Sequence, residues 1–298
     1  MLALAFAALF TPTVAHADES ARVEWNSNWP RFRPAEIALT SGLALQVAAA
    51  TFLLPEPKAN WHGGILFDDA VRDALRLHGK AARSRAGAVS DAIYYGLLAY
   101  PLVVDAGLVA GGIHRSGDVA GQLMAMDLEA FAFSGAIALS AEKLGRVRPE
   151  ERECRKDSSY GADCGEPAQL NASFMSGHTT IAFTGAGLIC AHHLNLPLYG
   201  GGAPDIVACI TALTAASTAG ALRVAADKHY TTDVLLGMGV GLFGGFGLPT
   251  LLHYGARGPN PQPRSFLPTF RSASAGIAAV VAPAIGPESM GVTMVGTF

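Results

Sequence analysis

Charge is scarce in this chain. Asp, Glu, Lys and Arg make up 15% of its 298 residues, and the formal net charge is −3. No basic surplus remains to cover a phosphodiester backbone, which argues against a nucleic-acid partner. Residues 37–55, 179–204, 206–222 and 234–256 contain none of the four charged types at all. No Lys or Arg precedes the first apolar run, MLALAFAALF, although an export signal ordinarily begins with one. Cysteine is sparse, with four residues. No complete set of metal ligands stands out, because a His229–Asp233 pair has no third and fourth partner at matched spacing, so no metal and no cofactor is expected. The glycines of GMGVGLFGGFG sit inside an apolar run rather than after a strand, so they read as packing contacts and not as a phosphate loop.

What remains is a succession of Ala- and Gly-rich apolar segments, and these predict an all-α, multi-helix bundle with about six membrane-embedded helices. Residues 1–17 read as a signal peptide cut after Ala15-His16-Ala17, or as an uncleaved anchor. Residues 18–91 form a polar and interfacial segment with one apolar helix at 37–55; its Trp25, Trp29, Arg31 and Arg33 suit the boundary between lipid and water. The helical core is expected over 92–254, with Asp105, Asp127 and Glu129 interrupting two of its helices. Asp127 and Glu129 fit either partners of nearby arginines or helix packing. A tail over 255–298 carries Arg257, Arg264 and Arg271 and then strand-like alternation. Cys154 and Cys164, ten apart in a polar loop, are a disulfide candidate in an oxidising compartment, whereas Cys190 and Cys209 read as small buried hydrophobes.

Three polar clusters lie at the ends of apolar segments. The first is Ala141-Glu-Lys-Leu-Gly-Arg-Val-Arg-Pro149, the second Ser173-Phe-Met-Ser-Gly-His178-Thr, the third Arg223-Val-Ala-Ala-Asp-Lys-His229-Tyr-Thr-Thr-Asp233. Alternating helix direction brings all three to one end of the bundle, leaving His192-His193 near the opposite end. On a helix His229 and Asp233 share a face, and a carboxylate on one ring nitrogen makes the other a better nucleophile. Ser176-Gly177-His178 opens a helix, where free N–H groups and the dipole favour an anion. Arg148 and Arg223 supply planar forks for phosphate oxygens. The chemistry implied is phosphoryl transfer through a phosphohistidine.

These clusters resemble the three motifs of the type-2 phosphatidic acid phosphatase and vanadium haloperoxidase superfamily: K-x6-R-P, P-S-G-H and S-R-x5-H-x3-D. The third matches from Arg223 through His229 to Asp233, with Leu222 at the usual Ser. The second matches at Ser176, Gly177 and His178, with Met175 at the usual Pro. The first matches at Arg148-Pro149, with Ala141 at the usual Lys. The resemblance implies that His229 is the nucleophile, Asp233 its orienting partner and His178 the acid for the leaving oxygen. Arg148, Ser176, Gly177 and Arg223 would hold the phosphoryl group.

Lys143 and Arg146 are candidates to replace the missing lysine, or else cations snorkelling toward headgroups. On a continuous helix they would point about 140° and about 160° away from Arg148. The expected function is hydrolysis of a lipid phosphate or diphosphate (phosphatidate, polyprenyl diphosphate or lipid A type) at the outer face of a cell membrane. The alternatives are a soluble periplasmic acid phosphatase, a catalytically inactive lipid-phosphate binder, and a haloperoxidase with bound vanadate. Six spans behind a cleaved signal would turn the site inward, so an outward site needs either a retained N-terminus or a segment 37–55 that does not cross.

Overall fold

The computed structural model describes residues 22–161 and 163–255, together with the backbone of two strands, Ala278–Gly286 and Ser289–Thr297. The signal or anchor expected over 1–17, and the tail arginines Arg257, Arg264 and Arg271, lie outside the described residues. The chain divides into two compact units, Met1–Ala256 and Arg257–Phe298. In the second unit the two strands, β1 and β2, pair antiparallel with Gly286 opposite Ser289, which is the strand-like character expected of the tail.

The first unit is the helical bundle. Its elements are α1 (Pro34–Phe52), α2 (Asp68–Leu75), α3 (Lys80–Ala99, running on as a π-helix over Tyr100–Ile113), α4 (Gly117–Glu142) and the short α5 (Glu151–Cys154) and α6 (Pro167–Leu170). There follow α7 (Gly177–Asn195), α8 (Ala203–Ala225) and α9 (Thr231–Leu242), the last continuing through π-turns at Phe243–Gly247 and Thr250–Tyr254. Pro34 starts α1 at a position where its missing N–H costs nothing, and Glu36 in the first turn pairs with Arg33. The expected start of the core at residue 92 falls inside α3.

Five of the described helices are long and apolar enough to cross a membrane: α1, α3 with its π-extension, α4, α8 and α9 with its extension. The sixth expected span is α7, and it occupies a different position. Fourteen of its nineteen residues are buried, and α3, α4, α8 and α9 all pack against it. A helix enclosed by protein on every side has no need of a lipid-facing stripe, so it tolerates Thr, Gly and His. Around it the helices come close. A Cβ on Gly185 would stand 2.1 Å from the Leu97 carbonyl oxygen, and one on Gly245 would stand 2.0 Å from that of Thr184.

Both cysteine pairs are joined. Cys154–Cys164 forms as expected, with Cα atoms 5.5 Å apart. Cys190 and Cys209 are corrected from unpaired hydrophobes to a second disulfide, with Cα atoms 4.4 Å apart. Their partnership depends on α8 folding back along α7, which spacing in the chain does not reveal.

The far end of the bundle, away from the start of α7, holds its own polar contacts. His192 Nε2 lies 2.8 Å from Asp127 and its Nδ1 2.8 Å from the Tyr254 hydroxyl. His193 bridges Asp105 and Asp205, and Glu129 faces His253 at 3.9 Å. Asp127 and Glu129 are therefore helix-packing partners at this end and do not serve the arginines of the first cluster. Trp25 and Trp29 pack tilted and edge-on against Tyr254 here, so both tryptophans help to cover this end of the bundle.

Because α7 and its neighbours meet backbone to backbone, Gly245→Val should lower the melting temperature of the detergent-purified protein. The expected loss is at least about 1–3 kcal/mol, as for an overpacked core. An unchanged melting temperature would contradict the close approach.

Candidate active site

The three motif clusters converge where α4 ends, α7 begins, α8 ends and α9 begins. A cleft of about 380 Å³ opens there, lined by Lys143, Arg148, Gly177, His178 and His229 together with Glu142, Glu56 and Gln169. Its apolar wall is Ala50, Thr51, Leu54 and Leu139, from the ends of α1 and α4.

His229 precedes α9 instead of lying on it, so the shared helical face expected for His229 and Asp233 does not form. Its Nδ1 lies 2.8 Å from the Ser173 carbonyl oxygen. A carbonyl can only accept, so Nδ1 carries the proton and Nε2 keeps a lone pair. Burial first, and then the charges of Arg223 and Arg148, push the His229 pKa well below 6.5, which keeps the ring neutral. Asp233 instead accepts from the Ser173 hydroxyl at 2.7 Å and from the Tyr230 N–H at 3.0 Å. It therefore orients His229 at one remove, through Ser173.

The cleft's second histidine, His178, is the second residue of α7. The cap of that helix is Ser176, whose Oγ accepts from the Thr179 N–H at 3.4 Å and lies 2.9 Å from the Thr179 hydroxyl. Ser176 is wholly buried, so its hydroxyl belongs to the cap and not to the cleft, whereas Gly177 lines the opening. His178 Nε2 lies 3.1 Å from Asp91 Oδ1, and Arg223 Nη1 lies 2.9 Å from the same oxygen. Asp91 thus ties the second cluster to the third. Sequence reasoning missed it, and its only signal is a lone carboxylate at the start of the apolar run in α3.

The cations of the first cluster have separate fates. Helix α4 stops at Glu142, and Gly145 takes a left-handed φ of 70°. A Cβ at that position would collide with the Lys58 carbonyl oxygen at 1.9 Å. The segment beyond is extended and pairs with Trp61 through Val147 N–H at 2.8 Å. The helical-wheel angles therefore do not apply. Lys143 turns to the cleft, donating to the Pro55 carbonyl at 2.9 Å. Arg148 lines the cleft as well and binds Asp163, with Gln169 Oε1 at 3.3 Å. Arg146, expected among the phosphate-binding cations, lies away from the cleft. It is fully buried, with Asp68 at 2.7 Å on one side and Asp233 on the other, between the rings of Trp61 and Tyr230 at 4.3 and 4.2 Å.

Three buried arginine–aspartate pairs hold the scaffold. The Arg146 pairs fix α2, the first cluster and α9 to one another. Burial pushes the Asp68 pKa up, yet the Ile65 and Thr232 N–H groups and Arg146 outweigh it and hold Asp68 below its ordinary value. Arg72 binds Asp227 at 2.6 and 2.7 Å, and Asp227 sits at φ 64°, fixing the turn that leads to His229. The Nε atoms of Arg148 and Arg223 are buried with no hydrogen-bond partner among the described residues. Unmet guanidinium donors beside a helix N-terminus suit an incoming oxyanion. Among the described residues no group of three or more His, Cys, Asp or Glu is placed to hold a metal ion.

Removing the shared cation should expose how much the scaffold relies on it. Arg146→Met leaves Asp68 and Asp233 buried and unpaired, with an expected loss of about 3–5 kcal/mol in unfolding experiments. A loss below about 1 kcal/mol would show that the pairs do not hold the site together.

No curated protein and no solved structure matches the chain. Residues 128–257, which carry all three motifs, match the family model of the PAP2 superfamily, the type-2 phosphatidic acid phosphatase superfamily.

Proposed function

We propose that the protein is a metal-independent phosphatase that hydrolyses a lipid phosphate or diphosphate through a phosphohistidine on His229. The PAP2 match supports phosphatase chemistry on phosphate esters. One observation carries the finer reading: His229 is anchored through Nδ1 on a backbone carbonyl and lines the cleft shared with Arg148, Gly177 and His178.

In the first step Nε2 of His229 attacks phosphorus, the N–P bond forms and the P–O bond to the leaving group breaks. His178 gives that alkoxide its proton. In the second step water attacks the phosphohistidine, His178 takes the water's proton, and inorganic phosphate leaves with His229 restored. Arg148 and the N-terminus of α7 face the three phosphoryl oxygens, with Arg223 behind the two histidines and Lys143 filling the place left by Ala141.

The apolar cleft wall at the ends of α1 and α4 favours a substrate with a hydrocarbon part. Cys154–Cys164 lies in the loop beside Arg148, and disulfides persist in oxidising compartments, which supports an extracytoplasmic site at the cell membrane.

Phosphate release from a short-chain phosphatidate and from a polyprenyl diphosphate tests the reading. His229→Ala should reduce kcat by about 10³-fold or more, and His178→Ala by about 10²–10⁴-fold. Equal release by wild type and His229→Ala would leave a lipid-phosphate binder as the better description. The nucleophile must be neutral, and its pKa lies well below 6.5, so kcat/KM should not decline as pH falls through 6.5, while the proton that His178 must carry favours the acid side. An acid limb centred at or above pH 6.5 would contradict the burial of His229.

A further inference from the structure

Arg146 and Arg148 leave the same short segment, and both hold carboxylates. The partners of Arg146 are sealed: Asp68 is fully buried and so is Asp233. The partner of Arg148 is not, because the Asp163 side chain keeps 19% of its surface open to solvent. A sealed carboxylate is part of the scaffold. One that is partly exposed, on an arginine that also faces the cleft, can leave without breaking the core.

Asp163 belongs to the polar loop closed by Cys154–Cys164. Among the described residues the loop meets the catalytic end through Tyr160, Gly161 and Asp163. Tyr160 lies under the Arg83 guanidinium at 3.5 Å, with its hydroxyl 3.1 Å from Asp227. Asp163 reaches Arg148 and also Lys228 Nζ at 2.6 Å. Close approach needs Gly161, where a Cβ would stand 2.2 Å from Glu150 Oε2. Lys228 has a second carboxylate, Glu150 at 3.0 Å and almost wholly buried, so it stays neutralised when Asp163 departs. Arg148 has Glu150 only at 3.9 Å.

An N–H that binds a carboxylate is not available to a phosphoryl group, so Asp163 on Nη1 takes from Arg148 one of the donors a phosphate would use. With Asp163 in place, Arg148, Lys228, Glu150 and Asp163 together carry no net charge, which weakens the cleft's pull on an anion.

We propose that Asp163 is an internal competitor for the substrate's phosphoryl group, holding Nη1 of Arg148 while the cleft is empty and swinging outward on its disulfide-closed loop when a phosphate enters. The proposal rests on the reading that Arg148 holds the phosphoryl oxygens. It makes Asp163 a determinant of phosphate affinity that none of the three motifs contains.

Calorimetric titration of the detergent-purified protein with inorganic phosphate tests it independently of turnover. Asp163→Asn should bind phosphate about tenfold more tightly than wild type, the scale of one charge-assisted hydrogen bond no longer in competition. Glu166→Gln removes a loop charge without touching Arg148 and should change affinity by less than about twofold. Equal shifts in the two variants would reduce the effect to net charge and overturn the proposal. Equal or weaker binding by Asp163→Asn would also overturn it, making Asp163 a positioning residue for Arg148. A second measurement needs no variant: saturating phosphate should speed amide hydrogen exchange in residues 155–164 of the wild type, and slower or unchanged exchange would count against release of the loop. If neither protein binds phosphate, the Arg148 reading and the competition fall together. Binding with the tenfold difference but no ester hydrolysis would sink the catalytic reading and leave the competitor standing.

Discussion

One guanidinium holds the catalytic end together. Arg146 is completely buried between Asp68 and Asp233 and between the faces of Trp61 and Tyr230. Without it, two carboxylates would stand uncompensated in the protein interior, at a cost of several kcal/mol. With it, α2, the extended segment after α4 and the first turn of α9 are locked in register. Asp233 is thereby held against the Ser173 hydroxyl, and the Ser173 carbonyl fixes His229. The tautomer of His229, the proposed nucleophile, thus depends on an arginine outside the cleft.

Arg148, two residues away, sits in the opposite situation. It lines the cleft, keeps an unmet Nε donor, and its close carboxylate partner is partly exposed. The division between a structural and a cleft-facing arginine follows from burial of the partners, since the two side chains are chemically identical. Gly145 makes it possible: its left-handed φ ends the helix and lets the chain run extended beneath Lys58, where both arginines leave the helical wheel.

The central position of α7 explains why the bundle carries so many polar residues among apolar helices. Its first turn supplies Gly177 and His178 to the cleft, and its last turn supplies His192 and His193 to carboxylates at the other end. Protein surrounds it over most of Thr179–His193, so the polar groups there find partners that lipid would not offer. The same enclosure brings Cys190 against Cys209.

Much was determined by the sequence alone. Uncharged runs of helix length set the fold class, and helix alternation brought three polar clusters to one end, because direction reverses at each short loop. Residue types and spacing singled out His229, His178, Gly177 and Arg148, and the polar loop announced its disulfide. Only the tertiary structure decided how those residues are used. Asp233 acts through Ser173 because His229 stands before the helix rather than on it, Ser176 is consumed as a cap, and Arg146 belongs to Asp68, which lies 78 residues earlier in the chain. Asp91, Asp68 and Asp163 carry no local pattern, and their roles arise from which buried or half-buried cation each one meets. Local periodicity records which face of a helix is apolar. The partner of a charge depends on contacts between distant segments, and those exist only once the chain has folded.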